Sequence, residues 1–167
     1  MREEFRTRRD WLQTFADWVG PRRSVLALNF YPPWVGAGIR VVEVADDVSC
    51  VVTQMRLSAR NRNMFGTHFG GNLYSMCDPI FALMLHLKLG HDYLVWDKAA
   101  NIQFLRPGKG VVRATFELSD AEAQRVAELA DRSEKVEPTY QVRVLDAGGS
   151  EVANVEKLLY VRRKPKL

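Results

Sequence analysis

The sequence predicts an α+β fold in which one antiparallel sheet curls around one long apolar helix. Three observations carry this. Leu73, Met76, Ile80, Phe81, Leu83, Met84, Leu85 and Leu87 cover most of a helix circumference, so that helix must be buried on every side. At 111–118, Val112, Ala114, Phe116 and Leu118 alternate with Arg113, Thr115 and Glu117, the pattern of a sheet with one wet face. The elements also come in a telling order: helix, two strands, the apolar helix, then three or four strands with a minor helix inserted.

Residues 8–19 have the spacing of an amphipathic helix, with Trp11, Leu12, Phe15 and Val19 on one side, and Pro21 ends it. A shorter apolar segment, Ser24 to Phe30, leads into Tyr31-Pro-Pro-Trp34, which has turn chemistry. Ile39–Ala45 and Val48–Leu57 read as a hairpin about Asp46-Asp47. The glycine-rich stretch 66–71 opens the apolar helix, which closes near Gly90. Strands are expected at Ala99–Leu105 and Val111–Leu118, followed by a final hairpin from Tyr140 to about Val161 around Asp146-Ala-Gly-Gly149. Ser119-Asp-Ala-Glu122 is a capping box for a surface helix reaching about Arg132. The organisation is a helical extension over 1–36, one sheet-and-helix domain over 37–162 and a basic tail over 163–167.

With 167 residues, 47% of them hydrophobic and 26% charged, the chain can bury a core without disulfides or metals. The formal charge of +4 comes from Arg2, Arg6, Arg8, Arg9, Arg22 and Arg23 near one end and Arg162-Arg-Lys-Pro-Lys166 at the other. It suits a phosphate-bearing ligand or nothing more than solubility, and nucleic acid least, because no basic stripe is interleaved with aromatics. Cys50 and Cys77 lie in apolar surroundings, too few and too isolated for a disulfide framework or a metal site. The longest apolar run, Pro79 to Gly90, contains His86 and Lys88 and is too short to span a membrane. No signal core precedes it, and the chain reads as cytoplasmic. A helix apolar all round needs more cover than one sheet, which points to a second subunit paired edge to edge.

Chemistry concentrates between Asn63 and Pro79. Gly70 and Gly71 open a helix whose first N–H groups are free to face an anion, and Asp78 lies two turns further on. Asp78-Pro79 allows two readings. The aspartate can cap a new helix that starts at the proline. Alternatively one helix bends at Pro79, which frees the Ser75 carbonyl and leaves Asp78 for ligand contact or catalysis.

The residues Asn63, Gly66, Thr67, Gly70, Gly71 and Asp78 resemble the Asn-x-x-Gly-Thr-x-x-Gly-Gly motif, with an acid on the following helix, of the hotdog-fold acyl-CoA thioesterase superfamily. The spacing from Gly71 to Asp78 is similar to that in phenylacetate-pathway-type thioesterases. A nearer resemblance is to a bacterial branch known as a domain of unknown function and associated with tetrameric acyl-CoA thioesterases. It covers Asn29-Phe-Tyr-Pro-Pro33, Gly36-Ala-Gly-Ile39, Arg60-Asn-Arg-Asn63, Val95-Trp-Asp-Lys98, Phe104-Leu-Arg-Pro-Gly108, Glu137-Pro-Thr139 and Val155-Glu-Lys157.

The resemblance implies a sheet wrapped around a central helix, a homodimer or homotetramer with shared sites, and hydrolysis of an acyl-CoA or acyl-carrier thioester. It implies no cofactor, coenzyme A arriving as part of the substrate, and no metal. Asp78 would act as general base or nucleophile, Gly70 and Gly71 as the oxyanion site, and Asn63 would orient the reacting group. His68 and Phe69 are expected beside the substrate. Phe69 stands where phenylacetate-type enzymes have a histidine, so that histidine's role does not pass to His68. Lys98, Arg106 and Lys109 are the candidate phosphate contacts; against these stand an Asp97–Lys98 ion pair and a solvated turn at 106–110. A hotdog hydratase, which would need a histidine facing the acyl chain, and a non-catalytic acyl-CoA binder are the alternatives.

Overall fold

The computed structural model describes residues 11–165. Arg2, Arg6, Arg8, Arg9, Lys166 and the first residues of the segment expected from residue 8 lie outside that range. The sheet is antiparallel throughout. Its strands are β1 (Ile39–Val44), β2 (Cys50–Arg56), β3 (Tyr93–Phe104), β4 (Val111–Glu117), β5 (Thr139–Asp146) and β6 (Glu151–Arg163), ordered β1-β2-β4-β5-β6-β3. The helices are α1 (Trp11–Val19), α2 (Pro21–Leu26), α3 (Pro32–Ala37), α4 (Gly70–Ser75), α5 (Ile80–Leu89) and α6 (Asp120–Arg132), with a 3-10 turn at Ala27–Phe30.

The α+β expectation of a sheet around an apolar helix holds. Phe81 of α5 meets Phe116 of β4 edge-on at 5.2 Å and stacks on Tyr140 of β5 at 5.0 Å. Ile80, Met84 and Leu85 are fully buried within this one chain, together with Met76 before them. That corrects one argument from sequence: α6 and α1 join the sheet in covering α5, so its burial does not itself require a partner.

Three local expectations change. The two prolines at 32 and 33 start α3 instead of making a turn, because a helix's first residues need no N–H donor; Gly38, at φ 72°, closes it in the left-handed conformation. Strand β3 begins at Tyr93, well before Ala99, and a bulge between Asp97 and Ala99 hides its alternation. Half of the capping box forms. Ser119 Oγ accepts from the Glu122 N–H at 3.1 Å, but the Glu122 carboxylate turns to Arg125 and Tyr140.

The apolar segment is two helices and not one bent rod. Residues 76–79 form a turn between α4 and α5. Pro79 cannot donate to the Ser75 carbonyl. The indole Nε1 of Trp34, on α3, donates to that carbonyl at 3.1 Å, and Thr53 Oγ1 on β2 donates to the next one, Met76, at 3.2 Å. Both donors are buried. The break is therefore sealed by side chains from elsewhere in the fold, which fixes the turn that carries Asp78.

Replacing Trp34 by Phe removes the indole donor and some packing, and is expected to cost roughly 2–4 kcal/mol. In a Pro79→Ala background the backbone N–H regained at that position can serve the Ser75 carbonyl, and the cost should fall by about 1 kcal/mol. Urea denaturation of the four proteins of this cycle measures the difference; equal costs in both backgrounds would show that the indole bond contributes nothing.

Candidate active site

Gly70, Tyr74 and Asp78 recur every four residues and so share one side of the α4 segment. Tyr74 donates its hydroxyl to Asp78 Oδ1 at 2.6 Å. The same oxygen accepts from Lys157 Nζ at 2.8 Å. Lys157 Nζ also donates to Tyr74 Oη at 3.0 Å and forms an ion pair with Asp97 Oδ1 at 3.0 Å. The lysine side chain is 0% exposed, whereas the Asp78 side chain is 46% exposed. Asp78 Oδ2 receives no hydrogen bond from the described residues.

These contacts decide between the two readings of Asp78-Pro79. Helix α5 starts at Ile80 after Pro79, with no side-chain cap, and the aspartate is turned to Tyr74 and Lys157 instead. Asp78 does not cap its own helix.

Sequence spacing gave Lys157 no role, because a lysine in a strand ordinarily marks the wet face. Its parity says otherwise: Val155, Lys157, Leu159 and Val161 form one buried row of β6. Burial works against the ammonium, but the hydrogen bonds to Asp78 and Tyr74 and the ion pair with Asp97 outweigh it and hold Lys157 above the usual lysine range. Burial likewise raises the Asp97 carboxyl, with Lys157 acting in the opposite direction. The expected Asp97–Lys98 pair is thus replaced by two others. Asp97 turns inward to Lys157, while Lys98, at the bulge, donates to Glu137 at 2.7 Å.

Gly70 and Gly71 begin α4, and their N–H groups meet no acceptor among the described residues. The space over them is not open, however. A Cβ on Gly70 would come within 2.8 Å of the Phe104 ring, and one on Gly71 within 2.5 Å of the Phe69 ring. Both rings are more than half exposed and form an apolar patch with Leu105.

Asn63 organises the loop before these glycines. Its Oδ1 accepts from the Phe65 and Thr67 N–H groups at 2.9 and 3.1 Å, and its Nδ2 donates to Thr67 Oγ1 at 2.9 Å. These bonds occupy the amide that was expected to orient the reacting group. His68 is corrected more firmly. It is buried beneath the loop at 106–110, with Nε2 3.2 Å from the Gly110 carbonyl oxygen, and burial lowers its imidazole below the ordinary range. Its ring is held against that loop. Arg106 and Lys109 are exposed on that loop. Cys77, beside Asp78, is fully buried, and that burial pushes its thiol up to about 12, the environment of a packing cysteine.

One cleft of about 490 Å³ lies elsewhere, between the end of α5, α6 and the β1–β2 turn, and Lys88 bridges it to Asp120. No residue of the Asp78 cluster lines it. Among the described residues no helix is long and apolar enough to cross a membrane.

A family model described as a domain of unknown function, DUF4442, matches residues 22–161. The chain belongs to the DUF4442 family. A comparison with curated proteins returned no match. Among solved structures, this DUF4442 protein is similar to PA5026 of Pseudomonas aeruginosa, a protein of unknown function described as a probable thioesterase: 20% identity, TM-score 0.73, covering 86% of this chain and 94% of that one. The thioesterase HI1161 of Haemophilus influenzae matches at 17% identity and TM-score 0.63, over 85% and 90% of the two chains. The Escherichia coli PaaI protein of the phenylacetic acid degradation operon matches at 19% and 0.55, over 84% and 91%. The DUF4442 chain therefore has the hotdog fold. At these identities the likeness reports architecture and leaves the reaction to the site.

Removing the buried cation tests the cluster as a structural unit. Lys157→Met leaves two carboxylates facing an apolar side chain and is expected to lower stability by roughly 2–4 kcal/mol, less than for a wholly buried pair because Asp78 is half exposed. Urea unfolding at neutral pH measures this; an unchanged midpoint would mean that the ion cluster holds nothing together.

Proposed function

We propose that this DUF4442 protein hydrolyses an acyl-CoA or acyl-carrier thioester, with Asp78 as general base. The observation that carries the reading is a half-exposed carboxylate with one oxygen clamped by two donors and the other free, one turn beyond Tyr74 on the segment that Gly70 and Gly71 open. Asp78 Oδ2 takes a proton from water as the water oxygen bonds to the thioester carbonyl carbon. The Gly70 and Gly71 N–H groups receive the oxygen that gains charge. The carbonyl re-forms, the carbon–sulfur bond breaks, and the departing thiolate takes the proton back from Asp78. Substrate reaches those N–H groups by moving the exposed rings of Phe69 and Phe104 aside. Asn63 acts through the loop it holds. Arg106 and Lys109, exposed on the 106–110 loop, are the proposed contacts for coenzyme A phosphates, whereas Lys98 is engaged by Glu137.

A second copy completes the site. Strand β3, twelve residues long, lies at the sheet edge with one side unpaired, and the exposed side chains of Met64, Phe65 and Leu105 lie close to the glycines in sequence or across β3. Sedimentation equilibrium at micromolar concentration should give a dimer or a multiple of one; a monomer would remove this part of the reading.

Two alternatives fare worse. A hydratase would need an accessible histidine, and His68 is buried against Gly110. A non-catalytic binder fits an aspartate spent as a helix cap, which Asp78 is not. Free-thiol assays across an acyl-CoA panel test hydrolysis. Asp78→Asn should lower the rate on the order of 100-fold or more. A wild-type protein that binds acyl-CoA but releases no thiol would make it a binder.

A further inference from the structure

The cluster around Asp78 holds more charge than a single positioned base requires. Lys157 Nζ donates hydrogen bonds to Asp78 Oδ1 at 2.8 Å and Tyr74 Oη at 3.0 Å and forms an ion pair with Asp97 Oδ1 at 3.0 Å. Two carboxylates thus share one ammonium that is 0% exposed. If Asp78 alone paired with Lys157, protonating Asp78 would strand a buried cation, and that penalty would keep Asp78 ionised and weakly basic. Asp97 changes this. When Asp78 takes a proton, Asp97 remains as counter-ion and the cluster passes from net negative to neutral.

Tyr74 acts in the other direction. Its hydroxyl bond to Oδ1, at 2.6 Å, is made to the ionised carboxylate and is weakened when that carboxylate is protonated. Two further titratable neighbours, Cys77 and Tyr140, carry no charge at neutral pH, while Lys98, next to Asp97, is paired outward with Glu137, and Glu156, next to Lys157, meets Gln141. Cys77 is fully buried, and Tyr140, opposite Lys157 in the β5–β6 register, donates its hydroxyl to Glu122.

We infer that Asp97 and Tyr74 are positioning residues that set the proton affinity of Asp78 from opposite sides, Asp97 raising it through the shared Lys157 and Tyr74 lowering it through Oδ1. The Tyr74 and Lys157 bonds both fall on Oδ1, which leaves Oδ2 as the oxygen that exchanges a proton. The inference rests on Asp78 as the base of the proposed hydrolysis, yet the carboxyl titration itself does not depend on turnover.

The test is a pH titration of the Asp78 side-chain carboxyl carbon by NMR on uniformly labelled full-length protein, its resonance assigned by its loss in Asp78→Asn. Tyr74→Phe should raise the Asp78 midpoint by about one pH unit and Asp97→Asn should lower it by a similar amount. Both substitutions keep side-chain shape, and circular dichroism melts verify that the variants are folded at the pH values used. Midpoints that stay fixed, or that move the same way in both variants, overturn the inference. In an active enzyme the acidic limb of kcat/KM should move with the carboxyl midpoint in each variant. Opposite carboxyl shifts without thiol release from any acyl-CoA would retain the charge network and sink the thioesterase reading alone. Should Asp97→Asn fail to fold, Asp97→Glu keeps the charge and should leave the midpoint within a few tenths of wild type, while Tyr74→Phe still decides the other arm.

Discussion

An ammonium group with no access to water must find its counter-charges inside the protein, and Lys157 imposes that demand on two other parts of this chain. Desolvating the charge costs several kcal/mol, which only well-placed hydrogen bonds and opposite charges offset. One carboxylate comes from the turn after α4, another from the bulged edge strand β3, and a phenolic oxygen from α4 itself. Helix, edge strand and final strand are thereby tied at a single point. A shift of one residue in either strand register would turn Lys157 or Asp97 to the other face and leave the remaining charges unbalanced.

The placement of Asp78 depends equally on a missing hydrogen bond. Pro79 removes the donor that would continue α4, and an unpaired buried carbonyl would be costly. Trp34 and Thr53 supply donors to Ser75 and Met76, so the interruption is stable and Asp78 is presented from a turn and not from a helix face. The segment ahead of the sheet is therefore more than an appendage. Through Trp34 the first helical elements reach the backbone three residues before Asp78.

How much of this could be read in the sequence follows from where patterns are regular. The row Val112, Ala114, Phe116 and Leu118, the apolar faces of α5 and the Ser119 cap were legible because side-chain period reports burial directly. The glycine pair, and an aspartate whose neighbour is proline, marked the right segment but left two local geometries open; the distant donors at 34, 53 and 157, with Tyr74, decide between them. Lys157 was missed because residue type spoke against its position, although the parity of Val155, Leu159 and Val161 was there to be counted. His68 misled for the opposite reason. A histidine near a glycine pair suggests chemistry, but its ring is spent on the Gly110 carbonyl under a neighbouring loop.

A single inserted residue explains what the sequence pattern of β3 concealed. Up to Asp97 the odd-numbered residues face inward, and Asp97 lies opposite Leu159; past the bulge Ala100, Ile102 and Phe104 pair with Lys157, Val155 and Ala153. No period-2 template fits both halves, which is why the pattern alone starts the strand at Ala99. The change of parity has three consequences. Asp97 points to the buried lysine, Lys98 is released to Glu137 outside, and the Phe104 ring swings over Gly70. Without the extra residue, an unbroken alternation that placed Asp97 at Lys157 would have turned Phe104 away from the glycine that opens α4. The bulge thus lets one edge strand serve both ends of the candidate site, the charged cluster and the apolar cover over the helix N-terminus.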